Sequence, residues 1–377
     1  MFQRVKDWLL DCNYRRLLRR KQKRLQRIAS DCSAENSLCD NTGVWPRKVH
    51  SVLLVDPLHC FGDSLYVNAL LHRLLEDTPT LEVTLLTEAH LFDVYRQSGC
   101  DLKDYRSPQA VADAAKQSFD LILDLDYKDD NEWDFRRSFY GGQKACVVTL
   151  SPVVNQAKIF TGWLDLKDVV HFGQRMGMVA QLVKSMVAGQ CHMDADKRMV
   201  FSADRSLLLK PCIDGVTWHP ENLSIYVNTQ GSKAERNFSD GQVKSLAAWF
   251  NGQKKYVGLF YLGKEAPYTV DETEQVKLVR TQTFMEAVRL AVSSRGIVSP
   301  DTSMVHVASA TDTPLLAVYA VGKREYPSGR DQSEVWAPVG DQNIIYAKKQ
   351  HTVGELPSSE LLCWFKKFVV DISKNDR

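Results

Sequence analysis

Gly296-Ile297-Val298 is a short apolar run, and Pro314-Leu315-Leu316-Ala317-Val318-Tyr319 is another. Ser299-Pro300-Asp301-Thr302-Ser303 and then a helix-compatible stretch, residues 304–310, lie between them. The order reads strand, loop, helix, strand. Continuous apolar runs of this length suit strands buried on both faces, and such strands pair in parallel with helices covering the sheet. This constrains the fold more than any other feature, because a parallel sheet needs a crossover between successive strands. The plan recurs along the chain. Ser51-Val52-Leu53-Leu54-Val55, Glu82-Val83-Thr84-Leu85-Leu86, a run over 119–125 and Ala145-Cys146-Val147-Val148-Thr149 read as strands of a first unit. Runs over 223–228, 256–261 and 296–298 read as strands of a second, with Ser239 capping a helix through Phe250. Alternating strands and helices predict an α/β chain of two Rossmann-like domains facing across a cleft.

Length agrees, since 377 residues suit two domains. The expected boundaries are an N-terminal extension and linker over 1–47, a first domain over 48–190, a linker over 191–215, a second domain over 216–354 and a final amphipathic helix over 355–377. That last helix is expected to pack back across the domain junction. No run approaches the ~20 apolar residues of a membrane span, and no secretory signal pattern opens the chain. Nine scattered cysteines without a C-x-x-C pair suit a reducing compartment. Cys191-His192 with Asp194 and Asp196 matches no standard metal spacing, so no metal site is expected.

Charge is unevenly placed. The first 30 residues hold ten Lys/Arg against two Asp, and the other 347 hold 38 basic against 44 acidic residues. Residues 2–28 read as a basic amphipathic helix. It either lies on an anionic membrane surface through Trp8, Leu9, Leu17 and Leu18, or packs on the protein by the same face. No aromatic platform or recognition motif points to nucleic acid.

Ligands of open parallel sheets bind beyond the carboxyl ends of the strands. Four loops occupy such ends: 56–63, 229–238, 263–265 and 299–303. Asp63, after Gly62, is either a helix cap or a carboxylate placed to take a proton from a hydroxyl. Gly231, Ser232, Lys233 and Arg236 offer a hydroxyl, two cations and backbone amides, which suits a diphosphate or simply makes a basic loop. Glu265 is either a ribose ligand or a solvated carboxylate. Asp301 or Thr302 caps the next helix, whose N–H groups would receive a phosphate. His306, one turn on, either donates to that phosphate or packs inside.

Taken in order, three motifs resemble glycosyltransferase family 9, the heptosyltransferases of lipopolysaccharide assembly. They are Gly62-Asp63-Ser64-Leu65, the 231–239 loop, and Asp301-Thr302-Ser303-Met304-Val305-His306-Val307-Ala308 followed by Thr313-Pro314. Ser303 stands where the family usually has glycine, and His59 is the one cation ahead of Gly62. The resemblance implies a GT-B type fold and an inverting, metal-independent transfer from a nucleotide-sugar, usually ADP-heptose, with no cofactor. It implies Asp63 as general base, with Gly62 and His59 on the acceptor side. Gly231, Ser232, Lys233, Arg236, Glu265, Asp301, Thr302, Ser303 and His306 would hold the donor. A lipid-linked core oligosaccharide would be the acceptor, met at the cytoplasmic face of the inner membrane. A transferase for another nucleotide-sugar, or a member that binds without catalysis, stays open.

Overall fold

A computed structural model describes residue 23 and, within 48–374, all but 57–59, 127–132, 141–142, 151–159, 167, 221, 263–267, 321–330, 341 and 348–351. The basic N-terminal segment, apart from Lys23, lies outside the described residues, as do His59 and Glu265.

Two six-stranded parallel sheets form the chain. The first joins β1 (Ser51–Val55), β2 (Glu82–Thr87), β3 (Asp101–Asp104), β4 (Leu121–Asp124), β5 (Cys146–Thr149) and β6 (Gly162–Trp163) in the order 3-2-1-4-5-6. A two-stranded antiparallel hairpin follows, β7 (His192–Met193) with β8 (Met199–Val200). The second sheet joins β9 (Ser224–Asn228), β10 (Val257–Tyr261), β11 (Val276–Val279), β12 (Gly296–Pro300), β13 (Leu315–Ala320) and β14 (Asn343–Ala347) in the order 11-10-9-12-13-14. Relative to chain order the two sheets have the same topology. The expected α/β class and paired Rossmann-like plan are therefore what the chain adopts.

Burial explains why the runs are apolar. Val52, Leu53 and Leu54 of β1 are fully enclosed, as are Ile225, Tyr226 and Val227 of β9. Burying each such side chain contributes on the order of 1.5–3 kcal/mol. Helix ends carry their own signals. Ser239 caps the Asp240–Asn251 helix in a capping box with Gln242, and Thr283 caps Phe284–Val292 by accepting from Glu286 N. The last helix, Ser358–Lys374, buries Leu361, Phe365, Phe368, Val369 and Ile372 in the outer core of the second domain, with Val243, Leu246 and Phe250. Its expected packing across the junction is not what these contacts show. The apolar face packs on the helix that Ser239 caps and on the second sheet, where Phe368 lies against Gly296.

The largest core cluster instead joins the domains. It combines Leu65, Tyr66 and Leu70 of the Phe61–Asp77 helix with Met304, Val305 and Ala308 of the Ser303–Thr311 helix. The linker runs along the first domain, with Leu209 N donating to Gly173 O at 3.1 Å, and then joins the second, with Trp218 Nε1 donating to Ser294 O at 2.9 Å.

Candidate active site

The shared strand order reverses direction between β1 and β4 in one sheet and between β9 and β12 in the other. Such switch points leave a crevice beyond the strand ends. The segments after β1, β9 and β12 open there, and they carry most of the residues singled out from sequence.

On the first domain, the helix after β1 starts at Phe61, so Phe61, Gly62 and Asp63 form its first turn and not the end of a loop. Cys60 is the N-cap and supplies no side-chain bond, so the capping reading of Asp63 fails. Asp63 is the third helical residue, 7% exposed, where the helix dipole favours negative charge. Two tyrosines sense it. Burial first, and then the Asp63 charge, push the Tyr66 phenol up. Asp56 at the tip of β1 is occupied structurally, accepting from Tyr95 Oη at 3.0 Å.

On the second domain, Asn228 at the tip of β9 donates to Ser299 Oγ at 3.1 Å and to Thr302 Oγ1 at 3.0 Å. Thr302 is the cap of the next helix, accepting from Met304 N at 3.2 Å. Asp301 faces Arg236 instead, with Oδ2 3.4 Å from Nε, while Arg236 Nη1 donates to the Asp301 carbonyl at 3.2 Å. The 229–238 loop is held at its neck. Phe238 N donates to Thr229 O at 3.0 Å, and Tyr268 Oη donates to both Thr229 O and Phe238 O. Gly231 is required by crowding, since a Cβ there would sit 2.5 Å from Arg236 Cβ. Ser232 and Lys233 stand exposed at the loop's tip.

The two halves touch. A Cβ on Gly62 would lie 2.8 Å from His306 Cδ2 and 3.6 Å from the Ser303 Cα, so glycine permits the closest approach of the two helix starts. Phe61 stacks on Phe284 with centroids 4.1 Å apart. Behind them His306 is 4% exposed, edge-on to Tyr66 at 5.2 Å and to Trp336 at 5.9 Å. Burial, then His171 and Arg236, push its imidazole down to about 3, so at neutral pH it is an uncharged packing residue. Unfolded, the same ring takes its proton near pH ~6.5. Its folded value is lower, so its contribution to stability is intact above about pH 6.5 and is lost as pH falls toward about 3. The expected slope from this group is about 1.4 kcal/mol per pH unit inside that window. Urea titrations of wild type and His306→Leu between pH 4 and 8 check it, and equal slopes would count against the assignment.

Two other sequence features are used up structurally. Asp124 and Asp126, which have the letters of a metal-binding D-x-D, are bridged by Arg136: Nε lies 2.6 Å from Asp124 Oδ2 and Nη2 2.8 Å from Asp126 Oδ2. Asp194 accepts from Asp196 N, Arg198 N and Arg198 Nε, closing the β7–β8 hairpin. Sequence reading missed Asn228 and Tyr268. The one signal for Asn228 was an amide ending an apolar strand, and Tyr268 had none.

Residues 264–352 match the sequence model of glycosyltransferase family 9 (heptosyltransferase). The matched segment falls within the second domain. That segment includes the Asp301–Ala308 motif on which the resemblance chiefly rested. Among solved structures, an ADP-heptose lipopolysaccharide heptosyltransferase II from E. coli superposes with a TM-score of 0.62 at 13% identity, over 85% of this chain and 99% of that one. A family 9 glycosyltransferase from Veillonella parvula gives 0.60 at 14%, over 86% and 98%. The E. coli heptosyltransferase WaaC, solved with ADP, gives 0.55 at 10%, over 84% and 97%. At these identities the likeness is one of fold, and the fold is GT-B. Curated protein sequences give no significant match.

Proposed function

We propose that this protein is an inverting glycosyltransferase that moves a heptosyl group from ADP-heptose to a lipopolysaccharide core acceptor. The observation that carries the reading is the close approach of Gly62, the residue before Asp63, to Ser303 at the facing switch points of two parallel sheets. A donor diphosphate would lie along the second domain, on the Ser232 hydroxyl, the Lys233 ammonium and the amides of Thr302 and Ser303. Arg236, tied to Asp301, would add positive charge and hold the two loops in register. Asp63 would take the proton of the acceptor hydroxyl as its oxygen attacks the anomeric carbon. The bond from that carbon to the phosphate oxygen would break, and ADP would leave with the electron pair. Attack from the face opposite the phosphate inverts the centre. A metal is not required by this scheme, because fixed donors and the helix end meet the leaving charge. His306, neutral and enclosed, would support the Ser303 helix rather than bind phosphate.

A panel of nucleotide-sugars tests the donor. ADP-heptose and ADP should raise the melting temperature, while UDP- and GDP-sugars should not. A shift with another nucleotide alone would replace the donor. The basic segment over 1–30 would bring the enzyme to its lipid-linked acceptor. Its removal should weaken binding to anionic vesicles and leave the ADP response intact, and unchanged vesicle binding would refute that role.

A further inference from the structure

His72, Cys212 and Asp214 lie away from the cleft, where the interdomain linker leaves the first domain. His72 is on the helix that carries Asp63, nine residues on, or about 13 Å along the axis. Cys212 is held against that helix by its own N–H, which donates to Leu65 O at 3.0 Å, and by Asn68 Nδ2, which donates to its carbonyl at 3.4 Å. Gly215, with φ of +68°, then turns the chain toward the second domain.

One ligand atom from each of the three residues lies within 4.8 Å of the other two. His72 Nε2 lies 2.7 Å from Asp214 Oδ1, an ion-pair contact without hydrogen-bond geometry, and is shielded from solvent. Asp214 Oδ2 is likewise buried and without a hydrogen-bond partner. A buried carboxylate oxygen without a partner is costly unless something joins it. Cys212 Sγ completes the set, 3.6 Å from Asp214 Oδ1. Ligands of a tetrahedral zinc ion sit about 3.4–3.6 Å apart, given bonds of about 2.0–2.3 Å. The sulfur–oxygen distance already matches, and the nitrogen–oxygen distance needs less than about 1 Å of side-chain opening. Glu76, four residues beyond His72 and so on the same face of the helix, offers a further, exposed carboxylate.

We infer that His72, Cys212 and Asp214 bind a divalent transition-metal ion of zinc type, with Glu76 or water as fourth ligand. The mixed nitrogen, sulfur and oxygen set favours zinc over magnesium or calcium. The ion clamps the end of the linker to the Asp63-bearing helix, just ahead of the turn at Gly215. Its role is structural, and it takes no part in sugar transfer.

Cobalt(II) reports thiolate ligation by an intense near-ultraviolet charge-transfer band. The full chain, stripped with chelator and titrated with cobalt, should bind one equivalent per chain and show that band. Cys212→Ser should abolish the band, and His72→Ala should weaken cobalt binding more than about tenfold. Asp214→Asn serves as a further variant, and circular dichroism shows that each remains folded. Absence of the band in the wild-type chain, or a band and affinity unchanged in folded Cys212→Ser and Asp214→Asn, would overturn the assignment.

Discussion

Replacing Asp63 with asparagine should lower glycosyl transfer about 100- to 10,000-fold, the range a general base supplies, while nucleotide binding survives. Asparagine keeps the shape and loses the basic oxygen. The structural grounds are specific. Asp63 sits in the first turn of a helix that starts at a switch point, 7% exposed, beside the glycine that meets the Ser303 helix. The groups proposed to bind the donor are on the other domain, so nucleotide affinity and turnover should separate. Steady-state rates and nucleotide titrations on the same preparations make the comparison. A variant with wild-type turnover would remove Asp63 from the reaction. Loss of nucleotide binding together with activity would point to a folding role.

The second large effect concerns stability. Arg136→Met should cost about 3–5 kcal/mol, because it leaves buried carboxylates without their counter-charge. Arg136 is 1% exposed and Asp124 fully enclosed, and the guanidinium reaches Asp124 through Nε and Nη2 and Asp126 through Nη2. Burial already pushes the Asp124 carboxyl up, and Arg136 pulls it back. Without the arginine the folded Asp124 would hold its proton above the unfolded range. The variant's deficit should therefore shrink as pH falls and grow as pH rises through that raised value. Urea denaturation at pH 5 and pH 8 reads this directly. A loss below about 1 kcal/mol at pH 8 would mean that the pair is not the buried bridge described.

What the residues announced in advance depended on where each strand sits. β1, β2, β4, β5, β9, β10, β12 and β13 all lie inside or flank the sheet centres, and their continuous apolar runs marked them. The four unpredicted strands of the two sheets are the edges: β3 (Asp101–Asp104), β6 (Gly162–Trp163), β11 (Val276–Val279) and β14 (Asn343–Ala347). β3, β6 and β11 are short or polar because one side of an edge has no neighbour to bury it, so they lose the pattern that identifies a strand, whereas β14 keeps an apolar run, Ile344-Ile345-Tyr346-Ala347, that the sequence reading passed over. The site divides similarly. The 229–238 loop and the turn over 299–303 were legible because glycine, aspartate and serine cluster after apolar runs. Partners were not: Arg236 with Asp301 and Asn228 with Thr302 join residues 65 and 74 positions apart. The early start of the Phe61 helix had no signal either, since Cys60 does not cap.

The most direct test of the account is transfer from ADP-heptose to a heptose-deficient lipopolysaccharide core, with the product's anomeric configuration read by NMR. The account predicts one ADP released per sugar transferred and a linkage inverted relative to the donor. A retained configuration, or free sugar in place of a glycoside, would contradict it.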